Sequence, residues 1–239
     1  MLYLIGLGLN SRDISLNALD AIKKCKKLYL ENYTSFGFTK KELEKIIKKK
    51  VIIAGRELIE NKASIILKEA KKKDIGLLIY GDPLSATTHI NCLIDSKKEG
   101  IKIKVIHSSS ILTAVGETGL SLYNFGKTTS IPFNNEKVIA PIEVIKNNLK
   151  LGLHTLILLD LDPKNKKFLT INQALEYLLR NNLNLSCVVC SALSTNKQEI
   201  KYGNIKELKN LKFNRFPQCL VISGKLHFIE EEALNFYKI

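Results

Sequence analysis

Residues 75–89 read IGLLIYGDPLSATTH. The first six form an apolar run without polar alternation, as expected of a strand covered on both faces in a parallel sheet. Gly81 and Pro83 then turn the chain. Asp82 stands at the carboxyl end of this strand, where open α/β sheets bind their ligands. Two readings of Asp82 stay open on this basis. It is either a carboxylate that accepts hydrogen bonds from a ribose diol or a cap for the segment that follows. Ser85, Thr87, Thr88 and His89 come next, and His89 is either part of a polar cleft or a packed, hydrogen-bonded imidazole.

Outward from this stretch the first half alternates strands and helices. Apolar runs at 1–8, 27–32, 51–55, 75–80 and 101–107 read as strands. Helical spacing fills 11–27, 39–50, 62–73 and 85–100, and in the first of these Leu16, Leu19, Ile22 and Cys25 mark one face. Short apolar strands separated by helices of this length argue for an open, mostly parallel α/β sheet with helices on both faces. The second half changes character. Strands are expected at 128–134, 153–162, 185–193 and 218–224, and helices at 141–152, 170–182, 204–212 and 227–239, with Thr170 as an N-cap. The boundary is placed in the small-residue stretch SSSILTAVGETGLSLYNFGK, near residue 110, giving domains 1–110 and 111–239.

Bulk composition narrows the function classes. Hydrophobic residues make up 45% of the 239, enough for a real core and against disorder. No run approaches the roughly 18 apolar residues of a membrane span. The start, MLYLIGLGLNSRD, lacks a basic leader and reads as a first strand, not a secretion signal. Five cysteines, an odd number, suit a reducing cytoplasm. Cys187 and Cys190 have a metal-pair spacing, but on a strand they point to opposite faces. The net charge of +14 first suggests nucleic acid. Only Arg12, Arg56, Arg180 and Arg215 are arginines among the 37 basic residues, and they are scattered. Base and phosphate reading favours arginine, so no direct nucleic-acid binding is expected. The lysine runs read as solvated helix faces that steer the chain toward a large anionic partner. A lysine-rich nucleic-acid-binding module is the non-enzyme alternative.

Other strand ends repeat the 81–89 arrangement. Gly6 and Gly8 follow the first strand, but position 11 is serine where a dinucleotide fingerprint needs glycine. His107 is followed by three serines, offering hydroxyls and N–H groups at a helix start. Asp160 and Asp162 have a spacing that magnesium could use, yet no phosphate loop accompanies them, so no metal is expected. Gly224 and His227 end the last strand. No serine elbow, HExxH or Cys–His nucleophile is present. The turns suit a small cofactor held by backbone, hydroxyls and one carboxylate, and hence group transfer by positioning.

Six stretches carry a resemblance: LYLIGLGLNSRDISLNALDAIKKC, LENYTS, GDPLSATTH, VIHSSSILTAVGETGLSLYNFGKT, GLHTLILLDLD and SGKLHFIEEE, running from residue 2 to residue 232. In these the chain resembles the diphthine synthases of the tetrapyrrole methylase superfamily. The resemblance implies a two-domain α/β fold with an interdomain cofactor cleft, a cytoplasmic homodimer, and S-adenosylmethionine as methyl donor with S-adenosylhomocysteine as product. It implies elongation factor 2 as protein substrate, trimethylated on the amino group of a histidine carrying 3-amino-3-carboxypropyl. Carried over as cofactor-binding are Leu9, Asp82, Ser85, Ser110, Ile111, Leu161, Ala192 and His227. No catalytic base is assigned; Asp162 and His89 are candidates only. The family often has valine at Ser85, and Ser191 and Leu193 stand where relatives carry arginine and glycine. A corrinoid or porphyrin ring methylase, with the same cofactor and fold, is the alternative enzyme.

Overall fold

The computed structural model describes residues 1–239. The chain divides into two compact units, Met1–Ile111 and Leu112–Ile239. No helix is long and apolar enough to cross a membrane.

Unit 1 contains β1 (Leu2–Gly6), α1 (Leu16–Lys24), β2 (Lys27–Glu31), α2 (Lys40–Ile47), β3 (Ile52–Ala54), α3 (Ala63–Lys72), β4 (Ile75–Ile79), α4 (Ile90–Lys98) and β5 (Ile103–Ile106). Its five strands are all parallel, in the order β3-β2-β4-β1-β5. The central strands β1 and β4 are buried along their whole length, which explains their unbroken apolar sequence. Alternate residues serve two separate cores. Tyr3, Ile5 and Leu78 pack with Ile22 and Leu43 on one side, while Leu2, Leu4, Leu77 and Ile79 pack with Ile66 and Leu67 on the other.

Three local expectations need correction. Leu16 is 81% exposed, because Ser15 caps α1 and sets Ala18, Ala21 and Ile22 inward instead. The segment 85–89 is a turn, and α4 starts only at Ile90; Asp82 therefore caps no helix. A π-helical turn, Glu57–Asn61, lies before α3 where no element was expected.

Unit 2 begins within the short α5 (Ile111–Ala114). It contains β6 (Thr129–Ile131), α6 (Ala140–Lys150), β7 (Thr155–Leu159), β8 (Leu161–Asp162), β9 (Lys167–Phe168), α7 (Ile171–Arg180), β10 (Ser186–Ser191), β11 (Glu199–Asn204), α8 (Ile205–Leu208), β12 (Gln218–Ile222) and α9 (Phe228–Asn235). The sheet order is β11-β10-β12-β7-β6, antiparallel except for the β6–β7 pair. Thr170 caps α7, and Gln173 completes a capping box. The apolar face of α7, with Leu175, Tyr177 and Leu178, packs against Ile157, Val189 and Leu220 of the sheet. Strand β11 went unrecognised in the sequence because EIKYGN buries only Ile200. Cys187 and Cys190 are both buried in β10, and Cys190 lies opposite Cys219 of β12.

Candidate functional site

In unit 1 the loops after β1, β4 and β5 meet at one end of the sheet. Strand β1 lies between β4 and β5, so whatever joins the latter two must pass over the end of β1. Gly6 makes this possible. A Cβ there would stand 2.8 Å from the Gly81 carbonyl oxygen, 2.9 Å from Ser108 Cβ and 3.0 Å from Pro83 Cδ. Two residues on, Gly8 exchanges a pair of backbone hydrogen bonds with Gly81: Gly81 N–H to Gly8 O at 2.9 Å and Gly8 N–H to Gly81 O at 3.3 Å. Both glycines have φ of 75°, the left-handed region that side chains disfavour.

Asp82 is 6% exposed and bridges the two flanking loops. Its Oδ1 accepts from Leu84 N–H (2.9 Å) and Ser85 Oγ (3.2 Å). Its Oδ2 accepts from Ser108 N–H (3.2 Å) and lies 2.7 Å from His107 Nδ1. Burial works to raise the Asp82 pKa, but the Leu84 and Ser108 N–H groups and His107 outweigh it, and the net shift is downward. Ser85 turns its hydroxyl onto Asp82.

Leu9 is held within its own loop. Its N–H donates to Asp13 Oδ2 at 3.0 Å, and the same oxygen accepts from Ser109 Oγ at 2.9 Å. Ser108 Oγ donates to the Asp13 carbonyl at 3.3 Å. Asp13 thus ties the loop after β1 to the loop after β5, a role that no local pattern in the sequence announced. Ser110 is buried, and half-buried Ile111 begins α5. The structure brings Leu9, Asp82 and Ser85 to this sheet end, with Ser110 and Ile111 following directly on Ser109.

His89 lies deeper. It is fully buried, and neither ring nitrogen has a hydrogen bond of ordinary geometry. Burial lowers its pKa to about 4, with only a small opposing influence from the Pro83 carbonyl. Tyr33 packs edge-on against it, with ring centroids 6.3 Å apart. It is a packed imidazole without the hydrogen bonds anticipated for one, and it is no base open to a substrate. A groove of about 530 Å³, lined among others by Glu60, Asn91 and Asp95, is elsewhere in the unit, and none of the predicted cofactor residues lines it.

Unit 2 distributes its predicted residues over two ends of its sheet. Leu161 follows β7 and Ala192 follows β10; the register Ser191↔Gln218 and Cys219↔Leu158 puts both near the start of β12. His227 follows β12 and stays at the opposite end, where Ile222 pairs with Thr155. Leu161 N–H donates to its neighbour Asp160 Oδ1 at 2.9 Å, and Asp160 Oδ2 accepts from Phe133 N–H at 3.2 Å. Asp162 serves a different turn, accepting from Asn165 Nδ2 (2.7 Å) and N–H (3.2 Å), which lower its pKa. The two carboxylates are engaged separately, and Asp162 acts as a turn residue. Ala192 is buried at φ 51°, its N–H on the Pro217 carbonyl at 2.8 Å, and Ser191 Oγ donates to the Arg215 carbonyl at 2.7 Å.

His227 is the N-cap of α9, and Glu230 returns the cap. The His227 N–H donates to Glu230 Oε2 at 2.9 Å. Glu230, 2% exposed, also accepts on Oε1 from Ser121 N–H (2.8 Å) and from His154 Nε2 (3.2 Å). His154 Nδ1 in turn accepts the Gly224 N–H at 2.9 Å. Sequence reasoning missed Glu230 and His154 because the cap is a histidine instead of the usual Ser, Thr, Asp or Asn.

Residues 1–209 match the family model of tetrapyrrole (corrin/porphyrin) methylases. A diphthine synthase of Methanococcus maripaludis is 43% identical, with 99% of this chain and 98% of that protein covered. A protein of Arabidopsis thaliana described as a probable diphthine methyl ester synthase is 39% identical, covering 100% and 98%. A crystal structure of diphthine synthase superposes with a TM-score of 0.94 at 33% identity, covering 99% of this chain and 95% of that one. The chain belongs to the tetrapyrrole methylases and, among them, to the diphthine synthase family.

Proposed function

We propose that this chain transfers three methyl groups from S-adenosylmethionine to the amino nitrogen of a 3-amino-3-carboxypropyl-histidine on elongation factor 2, giving diphthine. Membership of the family makes it an S-adenosylmethionine-dependent methyltransferase of diphthamide biosynthesis. The observation that carries the reading is the 43% identity to a diphthine synthase over nearly the whole of both chains.

The unit 1 loops fit the cofactor. A Cβ built on Gly81 would meet only Leu9 Cδ2 and the Ser109 carbonyl oxygen, each at 3.9 Å, so the glycine leaves a cradle between these two walls. When bound, S-adenosylmethionine supplies an electrophilic methyl group on a sulfonium. In this reading Leu9 gives apolar contact, the loop at Ser110 and Ile111 gives backbone groups, and Asp82 takes a ribose hydroxyl by exchanging the longer bond to Ser85. Leu161, Ala192 and His227 are proposed as further contacts on the resemblance alone. The catalytic contribution expected of such a site is alignment of donor and amine and exclusion of water.

Asp82→Ala should weaken S-adenosylmethionine binding by about 10- to 100-fold, the range expected for a lost hydrogen bond to a charged group. Wild-type affinity in calorimetry would remove Asp82 from the site. The function itself is tested by mass spectrometry of precursor-bearing elongation factor 2 after incubation with the chain and labelled S-adenosylmethionine. Three labelled methyl groups on one nitrogen are expected. A fourth methyl group on the carboxylate would make it an ester synthase, and label appearing only on a corrinoid or porphyrin would make it a ring methylase.

A homodimer is proposed on the same resemblance, supported by large apolar side chains left exposed in unit 2, including Tyr123, Phe228 and Phe236. Cytoplasmic residence is supported by five unpaired, buried cysteines.

A further inference from the structure

Three additions to one nitrogen require proton removal as well as a methyl donor. Each addition leaves a cationic nitrogen without a lone pair. Before the next, one N–H bond must break with its electron pair staying on nitrogen. Proton transfer to a positioned side chain is the usual solution, and histidine the usual side chain. The chain has four histidines. His89 is buried, and His154 is closed between Gly224 and Glu230. His227 is exposed but has no carboxylate on its ring, its Nδ1 accepting Ile229 N–H of its own helix at 3.5 Å. His107 differs from all three. Its side chain is 68% exposed, yet its ring is fixed by the buried Asp82 at 2.7 Å.

The chemistry of that contact sets the tautomer. An ionised carboxylate only accepts, so Nδ1 of His107 must donate, and the lone pair of the neutral ring sits on Nε2. The lowered pKa of Asp82 keeps the carboxylate ionised. Asp82 is itself locked by Leu84 and Ser108 N–H groups, so the imidazole is oriented by a group that cannot swing away. A nitrogen base aimed outward by a buried carboxylate is the arrangement that makes histidine an effective proton acceptor.

We propose that His107 is the proton acceptor between methyl additions, with Asp82 as its positioning residue. This rests on the functional reading above. In each cycle the N–H bond of the methylated ammonium breaks, its electron pair becomes the new lone pair, and the proton forms an N–H bond at His107 Nε2. The imidazolium then returns the proton to water. The third addition leaves a quaternary nitrogen with no N–H, and the cycle stops there.

The test follows the methylation ladder on precursor-bearing elongation factor 2 over time. Glutamine at 107 keeps an N–H donor for Asp82 but offers no basic atom. His107→Gln should slow trimethyl formation by about 100-fold, the low end for general base catalysis, with mono- and dimethyl products accumulating. Its S-adenosylmethionine affinity in calorimetry should stay within about threefold of wild type, as expected for substitution of an exposed ring. Added imidazole should restore trimethylation to His107→Ala. A wild-type ladder from His107→Gln overturns the proposal. So does a uniform fall in all products that tracks lost cofactor affinity, which would make His107 only a support for Asp82. A wild-type chain that methylates nothing overturns the functional reading itself.

Discussion

Gly8→Ala should lose S-adenosylmethionine binding by at least about 100-fold, or roughly 2.7 kcal/mol, while the core of unit 1 stays folded. A Cβ at this position would stand 2.1 Å from Asp13 Cβ and 2.9 Å from Ser109 Oγ. The backbone there also has φ of 75°, which adds about 1–2 kcal/mol of strain for an L side chain. Two relaxations are open to the chain. Turning the peptide breaks the paired hydrogen bonds to Gly81; pushing Asp13 aside releases Leu9, Asn10 and Ser109 together. Either one moves a wall of the cradle at Gly81. The buried strand before it, Leu2–Gly6, takes no part in either movement. Calorimetry of cofactor binding beside a thermal melt checks this. Unchanged affinity would mean that the cradle is not where the cofactor sits.

Glu230→Ala should destabilise unit 2 by on the order of 3 kcal/mol at neutral pH, and the loss should shrink in acid. Burial pushes the Glu230 pKa up, but the His227 and Ser121 N–H groups, helped by His154, pull it down from 4.5 to about 2. A carboxyl whose folded pKa lies below its unfolded one stabilises the fold fully above the unfolded value. That stabilisation fades as pH falls below 4.5 and is gone once pH passes about 2. Glu230→Gln should cost less than alanine. It keeps one acceptor oxygen but sets an amide N–H₂ against one of the donors now satisfied, leaving that donor unpaired. Urea denaturation at pH 7 and near pH 2 measures both. A gap between wild type and Glu230→Ala that is equally wide at both pH values would contradict the assignment.

Gly8 illustrates what the sequence made legible, and Glu230 what it did not. The glycines at 6, 8 and 81 were visible as turns at strand ends, because apolar runs without alternation marked the strands before them. Asp82 was visible for the same reason. Its partner was not, since His107 lies 25 residues away and the bridge exists only because β4 and β5 flank β1. Pattern reading reports neighbours along the chain; strand order is a tertiary fact. Leu16 shows the converse error. Its apolar character fitted the helical period, but as the first residue after the cap it sits before the inward face is established. The polar turn at 85–89 looked helical because no proline or glycine interrupts it; positive φ at Ala86 in fact breaks the segment. In unit 2 the antiparallel register sets Leu161 and Ala192 at one end of the strands and His227 at the other, a separation that spacing along the chain does not report.

The outermost strand of the first sheet is only three residues long. Ile52 and Ile53 of β3 remain 45% and 43% exposed, with one row of backbone groups unpaired. Such a rim invites edge-to-edge aggregation. Lys48, Lys49 and Lys50 precede it across Val51, and Gly55 and Arg56 follow it directly. Brevity and flanking like charge are the means by which soluble proteins repel a second copy at an open rim. Part of the +14 charge thus stands where it disfavours the pairing of a second copy with this rim, a use that requires no polyanion.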